Sequence, residues 1–515
     1  MRAWVPAAVA GLVVGVSVGV VASGCGGGKQ SEPDKAPAKQ AGRPRVAVPE
    51  PGEPEPETVP DFPDGTRSLE LIRTVGVRLE PGDDAKRIGT VAIDTRVGWV
   101  RTQKAKGCQK PWVEIKPRGW ICSDYVKPST RMPFGREVPM LDRGELVPGI
   151  YGKVTAPASV TYTFEKPKKP DREKKPKDKK TKPDKPDGPI TSTAQVTTTD
   201  PAAKPEPKLV ESRPLVGSVN VRQYEELTIA NKVYWRISQK DPEYVLRQAI
   251  TPHKPSVYGG TRMSDDTGLT LPIAFVWPRV PAWGMAVTTY KPNAGGIARK
   301  LPSRTPLALL ETAADKAGKP TAYRIADEEW IAAADVRIFA PAPPPPLLDK
   351  DERWIDIDVD NQILVAYEGD LPVYATMVST GGKETPTELG IYRMWLKESE
   401  ADMKGLNGED PYSVATVPWT QFFSPEKGLA LHTAYWHDQF GVRRSHGCVN
   451  LAPRDARWLY FWSEPQVPPG WTMTAGVVES PGSIVRVRSK DNPQPEIKGY
   501  AKKVQEARQA NAPVQ

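Results

Sequence analysis

Apolar residues are in short supply. They make up 38% of a 515-residue chain that also carries 56 prolines. Segments of that kind cannot bury enough surface to offset their ordering entropy, which excludes a chain folded throughout. It also lowers the three or four modules that length alone suggests. Aromatic residues are missing altogether from the one strongly basic run, Lys166 to Asp187, where 11 Lys/Arg stand against 5 Asp/Glu, a net +6. Nucleic-acid surfaces interleave basic and aromatic residues on folded structure, so this run reads as a solvated linker and no nucleic-acid partner is expected. Cysteines number only four, so each thiol carries information.

What is present begins at the N-terminus. Arg2 precedes an uncharged apolar stretch from Ala3 to Ala22, closed by Ala22-Ser23-Gly24-Cys25. This reads as an export signal over residues 1–24. The competing reading is an uncleaved membrane anchor, since about 20 apolar residues can span a bilayer. A cysteine directly after Ala-Ser-Gly, followed by Gly26-Gly27-Gly28 and a polar tether, resembles the bacterial lipoprotein processing site. That resemblance implies lipidation at Cys25 and a place in the cell envelope. Gly26 stands where an inner-membrane retention signal would have Asp, so the periplasmic face of the outer membrane is expected if the cell has two membranes. In an oxidising compartment Cys108 and Cys122, 14 residues apart, are close enough to pair. Such a loop is worth roughly 3 kcal/mol in the chain-entropy treatment. Cys448 is then left over, either a small buried hydrophobe or a reactive thiol.

The chain reads as mainly β. A Pro-rich tether covers 25–66. From 67 to 130 short apolar runs alternate with turn residues, as in a small β-barrel or sandwich. The pattern aromatic-x-Ile, turn, aromatic-aliphatic, aliphatic occurs around Trp112 to Val126, Tyr234 to Ile250 and Tyr323 to Val336. Three related β modules follow, 67–130, 131–256 and 257–340, the second interrupted by the basic Lys/Pro linker 165–208. Each resembles the closing strands of bacterial SH3-like cell-wall modules. A Pro-rich spacer, 341–352, precedes a β domain at 353–488 with one helix, Pro453 to Trp462, and a polar tail at 489–515. Ile355, Ile357 and Val359 alternate with Asp356, Asp358 and Asp360, which predicts a strand with one wet face.

The chemistry gathers near Cys448. A sulfur nucleophile needs a base, an orienter for that base, and main-chain donors where an oxyanion forms. Leu429 and Leu431 alternate with Ala430 and His432, so a buried strand would turn His432 away from its leucines. Ser445-His446-Gly447-Cys448 places the thiol after a glycine, where the chain can turn sharply. His446 is the second candidate base. His437 suggests a zinc site with His432, His446 and Cys448, but catalytic zinc sites usually carry a carboxylate or tighter His spacing, and no metal is expected.

His432-Thr433-Ala434-Tyr435-Trp436 followed by Ser445-His446-Gly447-Cys448-Val449-Asn450 resembles the signature of the L,D-transpeptidase catalytic domain (YkuD type). Val378 to Gly381, Thr385-Pro386-Thr387 with Gly390, and Pro418-Trp419 support it over about 135 residues. The resemblance implies a β-sandwich domain with a short helix. It also implies a cysteine acyl-enzyme that forms 3→3 cross-links between peptidoglycan stem peptides without a cofactor. It assigns Cys448 as nucleophile, His432 as base, the N–H groups of His446, Gly447 and Cys448 to the oxyanion, Ser445 to orienting the site, and Asn450 and Trp436 to the donor site. Three alternatives stay open: an L,D-carboxypeptidase, a protein-to-peptidoglycan ligase, and a non-catalytic wall-binding scaffold.

Overall fold

The computed structural model describes residues 62–165, 208–279, 285–293, 295–346, 348–405 and 411–510. The signal segment, Cys25, the tether to residue 61 and linker residues 166–207 lie outside the described residues.

Strands dominate, with two α-helices among the described residues, α1 at Pro453–Trp462 and α2 at Gly499–Ala510. The three sequence repeats share one local structure. Strands Trp112–Ile115 and Trp120–Cys122, Lys232–Arg236 and Tyr244–Leu246, and Pro320–Ala326 and Glu329–Ala332 each form a hairpin. A 3₁₀ turn and a further strand follow every hairpin. Registers coincide: Val113 faces Ile121, Trp235 faces Val245, and Tyr323 faces Ile331. The recurrent residues are thus the buried cross-strand pairs of the same hairpin, the unit through which antiparallel strands stabilise each other. Cys122, at the end of the first hairpin, forms a disulfide with Cys108, which precedes the hairpin.

These repeats are sewn into the C-terminal sheets. Arg87–Val91 pairs with Trp471–Ala475, Ser218–Gln223 runs parallel to Tyr412–Ser424, and Thr261–Arg262 pairs with Leu371–Met377. The first seam requires a glycine, because a Cβ at Gly89 would lie 2.0 Å from the Trp471 ring.

The C-terminal sheet runs Leu371–Met377, Ile363–Glu368, Arg353–Asp358, Ile484–Arg488, Gly390–Arg393. Both of its faces are buried. Ile355 and Ile357 pack with Trp419, Leu431, Val449 and Leu459, whereas Trp354 and Val365 pack with Phe275 and Phe339 of the third repeat. The expected wet face is therefore a covered one. Asp356 has no exposed surface, and its carboxylate accepts hydrogen bonds from Arg486 and Arg488 on the parallel neighbouring strand. The same guanidiniums donate to the carbonyls of Pro343 and Ala340, so the Pro-rich spacer lies on the sheet instead of merely linking two parts. Asp358 is also buried, accepting from the amides of Asp360 and Asn361 at the turn.

Helix α1 has Pro453 in its first turn, where a missing N–H costs nothing. Its far end is fastened by a buried lysine: Lys397 Nζ donates to the carbonyls of Tyr460 (2.8 Å) and Ser463. Residues 499–510 are helical because Tyr500, Ala501 and Val504 recur on one stripe, which is buried.

Candidate active site

All five residues of Leu429–Thr433 are buried. Leu429 and Leu431 enter the main core, which sends Ala430 and His432 to the opposite face. The strand Val449–Leu451 runs parallel beside it, with Leu431 opposite Val449 and His432 opposite Asn450. Side chains two residues apart share a face. Continuing the register, Cys448 and Asn450 lie on the His432 side, and all three line one cavity of about 410 Å³ with Trp436, Ser445 and His446.

His432 Nδ1–H donates to its neighbour's carbonyl, Thr433 O, at 3.0 Å. This fixes the proton on Nδ1 and leaves the Nε2 lone pair as the basic site. Burial depresses the ring to about 4, only partly opposed by that hydrogen bond. Burial pushes the Cys448 thiol up to about 11, a backbone hydrogen bond from Ala430 pulling the other way. Cys448 is half-buried and is the one unpaired cysteine among the described residues. The two resting groups are consequently a neutral thiol and a neutral imidazole that line one cavity.

That charge state has a measurable consequence. Alkylation by iodoacetamide, which needs preformed thiolate, is expected to rise about tenfold per pH unit from 7 to 10. Mass spectrometry of the Cys448 peptide reads the rate. A plateau already reached between pH 5 and 7 would show a thiolate–imidazolium pair instead.

The turn that carries Cys448 is braced from within. Ser445 Oγ donates to the Cys448 carbonyl and accepts from Gly447 N–H at 3.1 Å. Ser445 thus ties the two ends of the turn together. The Gly447 amide differs from the expected oxyanion donor: it is already engaged, so an oxyanion would have to compete with a hydroxyl for it. Gly447 has φ +123°, a conformation that other residues rarely adopt. A second loop clamps the turn from outside, Thr387 Oγ1 donating to Gly447 O (2.7 Å) and Gly382 N–H to Ser445 O (2.8 Å).

His446 is exposed and stacks on Tyr412, ring centroids 4.5 Å apart. Trp436 lies 5.8 Å from the His432 ring, the two planes 29° apart. His437 spends both nitrogens locally. Nδ1 accepts from Gln439 N–H (3.1 Å), so the proton of this neutral ring sits on Nε2, which meets the Asn450 amide at 2.9 Å. Two donors cannot bond each other, so the amide oxygen of Asn450 is the atom assigned to face the ring. A zinc ligand role for His437 would break one of these contacts.

Four cavity residues come from far upstream: Lys153, Ser218, Asn220 and His253. Sequence reasoning missed them, since no motif spacing connects them to Cys448.

Residues 352–487 match the family model of the L,D-transpeptidase catalytic domain, YkuD. Among solved structures, a cysteine-to-serine variant of the Enterococcus faecium L,D-transpeptidase is similar at 26% identity over 28% of this chain and 51% of that one, TM-score 0.22. L,D-transpeptidase 3 from Mycobacterium tuberculosis is 20% identical over 26% of this chain and 60% of that one, TM-score 0.22. An L,D-transpeptidase from Mycobacterium smegmatis is 15% identical over 51% of this chain and 93% of that one, TM-score 0.22. The chain spans about half the length of that Enterococcus faecium cysteine-to-serine structure. No curated protein matches it.

Proposed function

We propose that the C-terminal domain is a peptidoglycan L,D-transpeptidase. The observation that carries this reading is the placement of His432, Cys448 and Asn450 on one face of two paired strands, lining one cavity. Cys448 Sγ attacks the carbonyl between the diamino acid and the terminal D-Ala of a tetrapeptide stem, and its proton passes to His432 Nε2. The imidazolium then protonates the departing amine of D-Ala, leaving a thioester. The side-chain amine of a second stem attacks that thioester, a proton goes back through His432, and the 3→3 amide forms as the thiol is released. No cofactor enters, because the thioester conserves the energy of the amide it replaces.

In this reading the three repeats are SH3-like wall-binding modules, supported by their common hairpin register. The chain is held at the cell envelope through lipid on Cys25, on the periplasmic face of the outer membrane where two membranes exist.

Intact-mass analysis of the chain after exposure to a carbapenem tests the nucleophile. One stable adduct is expected on the wild type and none on Cys448→Ser. Muropeptide analysis tests the acceptor: new 3→3 dimers support a stem amine, whereas shortened stems without dimers point to water. An adduct that survives in Cys448→Ser would overturn the assignment.

A further inference from the structure

The wall opposite the nucleophile is built by the second repeat, and it is built in register. Ile150–Val154 pairs with Ser218–Gln223, which pairs with Tyr412–Ser424, which pairs with Leu396–Gly405. Lys153 stands opposite Asn220, Asn220 opposite Val414, and Val414 opposite Met403. Residues opposite one another on neighbouring strands share a face, so these four form one row across the sheet, and all four line the Cys448 cavity. Ser218 and Tyr412 form the next row, two residues back on their strands.

The chemistry of the row is directional. Asn220 is buried, and its Oδ1 accepts from His253 Nε2–H at 2.8 Å. That bond turns the Asn220 NH₂ the other way. Burial and the nearby Lys153 ammonium keep His253 neutral, so it adds no charge. Lys153 is exposed and has no carboxylate partner among the described residues. Arg444, beside the nucleophile turn, adds a second fixed cation, hydrogen-bonded to Gln439. The described residues lining the cavity include Lys153 and Arg444 and no Asp or Glu. Such a cleft concentrates anions and repels a second cation.

We propose that the second repeat is part of the active site and that Lys153, aligned with Asn220, binds a free carboxylate of the peptide acyl donor. This rests on the transpeptidase reading for the identity of the peptide. The carboxylate has two sources in a stem tetrapeptide, the C-terminal D-Ala and the side-chain end of the diamino acid. The wall explains why Ser218–Gln223 is welded to the catalytic sheet by a parallel pairing instead of being tethered to it.

The test is calorimetric titration of the full chain carrying Cys448→Ala with a synthetic stem tetrapeptide, its C-terminal carboxamide and its diamino-acid carboxamide. One carboxamide is expected to bind about tenfold more weakly than the parent peptide, identifying the carboxylate read. Lys153→Ala should weaken the parent peptide by the same factor and erase the preference, and Lys153→Gln should behave like Lys153→Ala. Because Lys153 is exposed, the fold is expected to survive both changes. Equal binding of all three peptides, or an unchanged preference in the Lys153 variants, would overturn the proposal. Binding with the expected preference but no acyl transfer by the wild type would instead sink the transpeptidase reading and leave the carboxylate site standing.

Discussion

His432→Ala is expected to slow acylation of Cys448 by a carbapenem roughly 10²- to 10⁴-fold at pH 7.5, the range by which a positioned general base accelerates such steps. The thiol of Cys448 is raised to about 11, so at pH 7.5 only ~3 in 10⁴ sites carry a thiolate without help. In the proposed mechanism the Nε2 lone pair of His432 takes the proton as the bond forms, so attack does not wait for that minor species. Because burial depresses the ring to about 4, the base is neutral at every pH above that value. The wild-type rate should then be nearly flat from pH 5.5 to 9. In His432→Ala the base is gone and attack depends on spontaneous ionisation, so the rate should climb about tenfold per pH unit towards 10. Adduct formation followed by mass at five pH values distinguishes the two profiles. A deficit of less than tenfold, or one that stays constant with pH, would remove His432 from proton transfer and redirect attention to His446.

Some of this architecture was legible in the residues. The alternation of Leu429 and Leu431 with His432 placed the imidazole on the correct face, because a strand's period of two leaves no other choice once the leucines are in the core. Pro453 to Trp462 read as a helix and is one, since apolar spacing and an N-terminal proline agree there. The repeated aromatic-x-Ile pattern marked hairpins whose registers coincide. Long-range pairing was not legible. Lys153 and Asn220 reach the Cys448 cavity through two strand pairings that bridge sequence gaps of about 70 and 190 residues, for which local periodicity has no signal. The Asp356 strand misled for a related reason. Alternating Asp and Ile looks solvated on one side, and only the neighbouring strand, with Arg486 and Arg488 on the same alternation, shows what the carboxylate faces. The hold of the Ser445 hydroxyl on Gly447 N–H likewise depends on a turn geometry that sequence does not specify.

Asp356→Ala is expected to destabilise the C-terminal domain by about 3–5 kcal/mol, the cost of stranding buried charge. The carboxylate accepts four contacts of 2.7–3.0 Å from Arg486 and Arg488, and neither it nor Arg486 has exposed side-chain surface. Removing it leaves two adjacent guanidiniums facing each other in the interior without a counter-charge. With a urea dependence of about 2 kcal/mol per molar, the midpoint should fall by ~1.5–2.5 M. An iodoacetamide pulse at each urea concentration, read on the Cys448 peptide, reports the unfolding of this domain rather than of the repeats. A midpoint within 0.5 M of wild type, on the order of 1 kcal/mol, would mean that water or another group replaces the carboxylate. The triple variant Asp356→Leu, Arg486→Met, Arg488→Met adds a second comparison. Apolar replacement of a buried charged cluster is often close to neutral, yet here the guanidiniums also hold the carbonyls of Pro343 and Ala340. The triple variant should therefore recover only part of the loss. The shortfall reflects those two carbonyls left without donors, and thereby how firmly the Pro-rich segment between the third repeat and the catalytic sheet is docked.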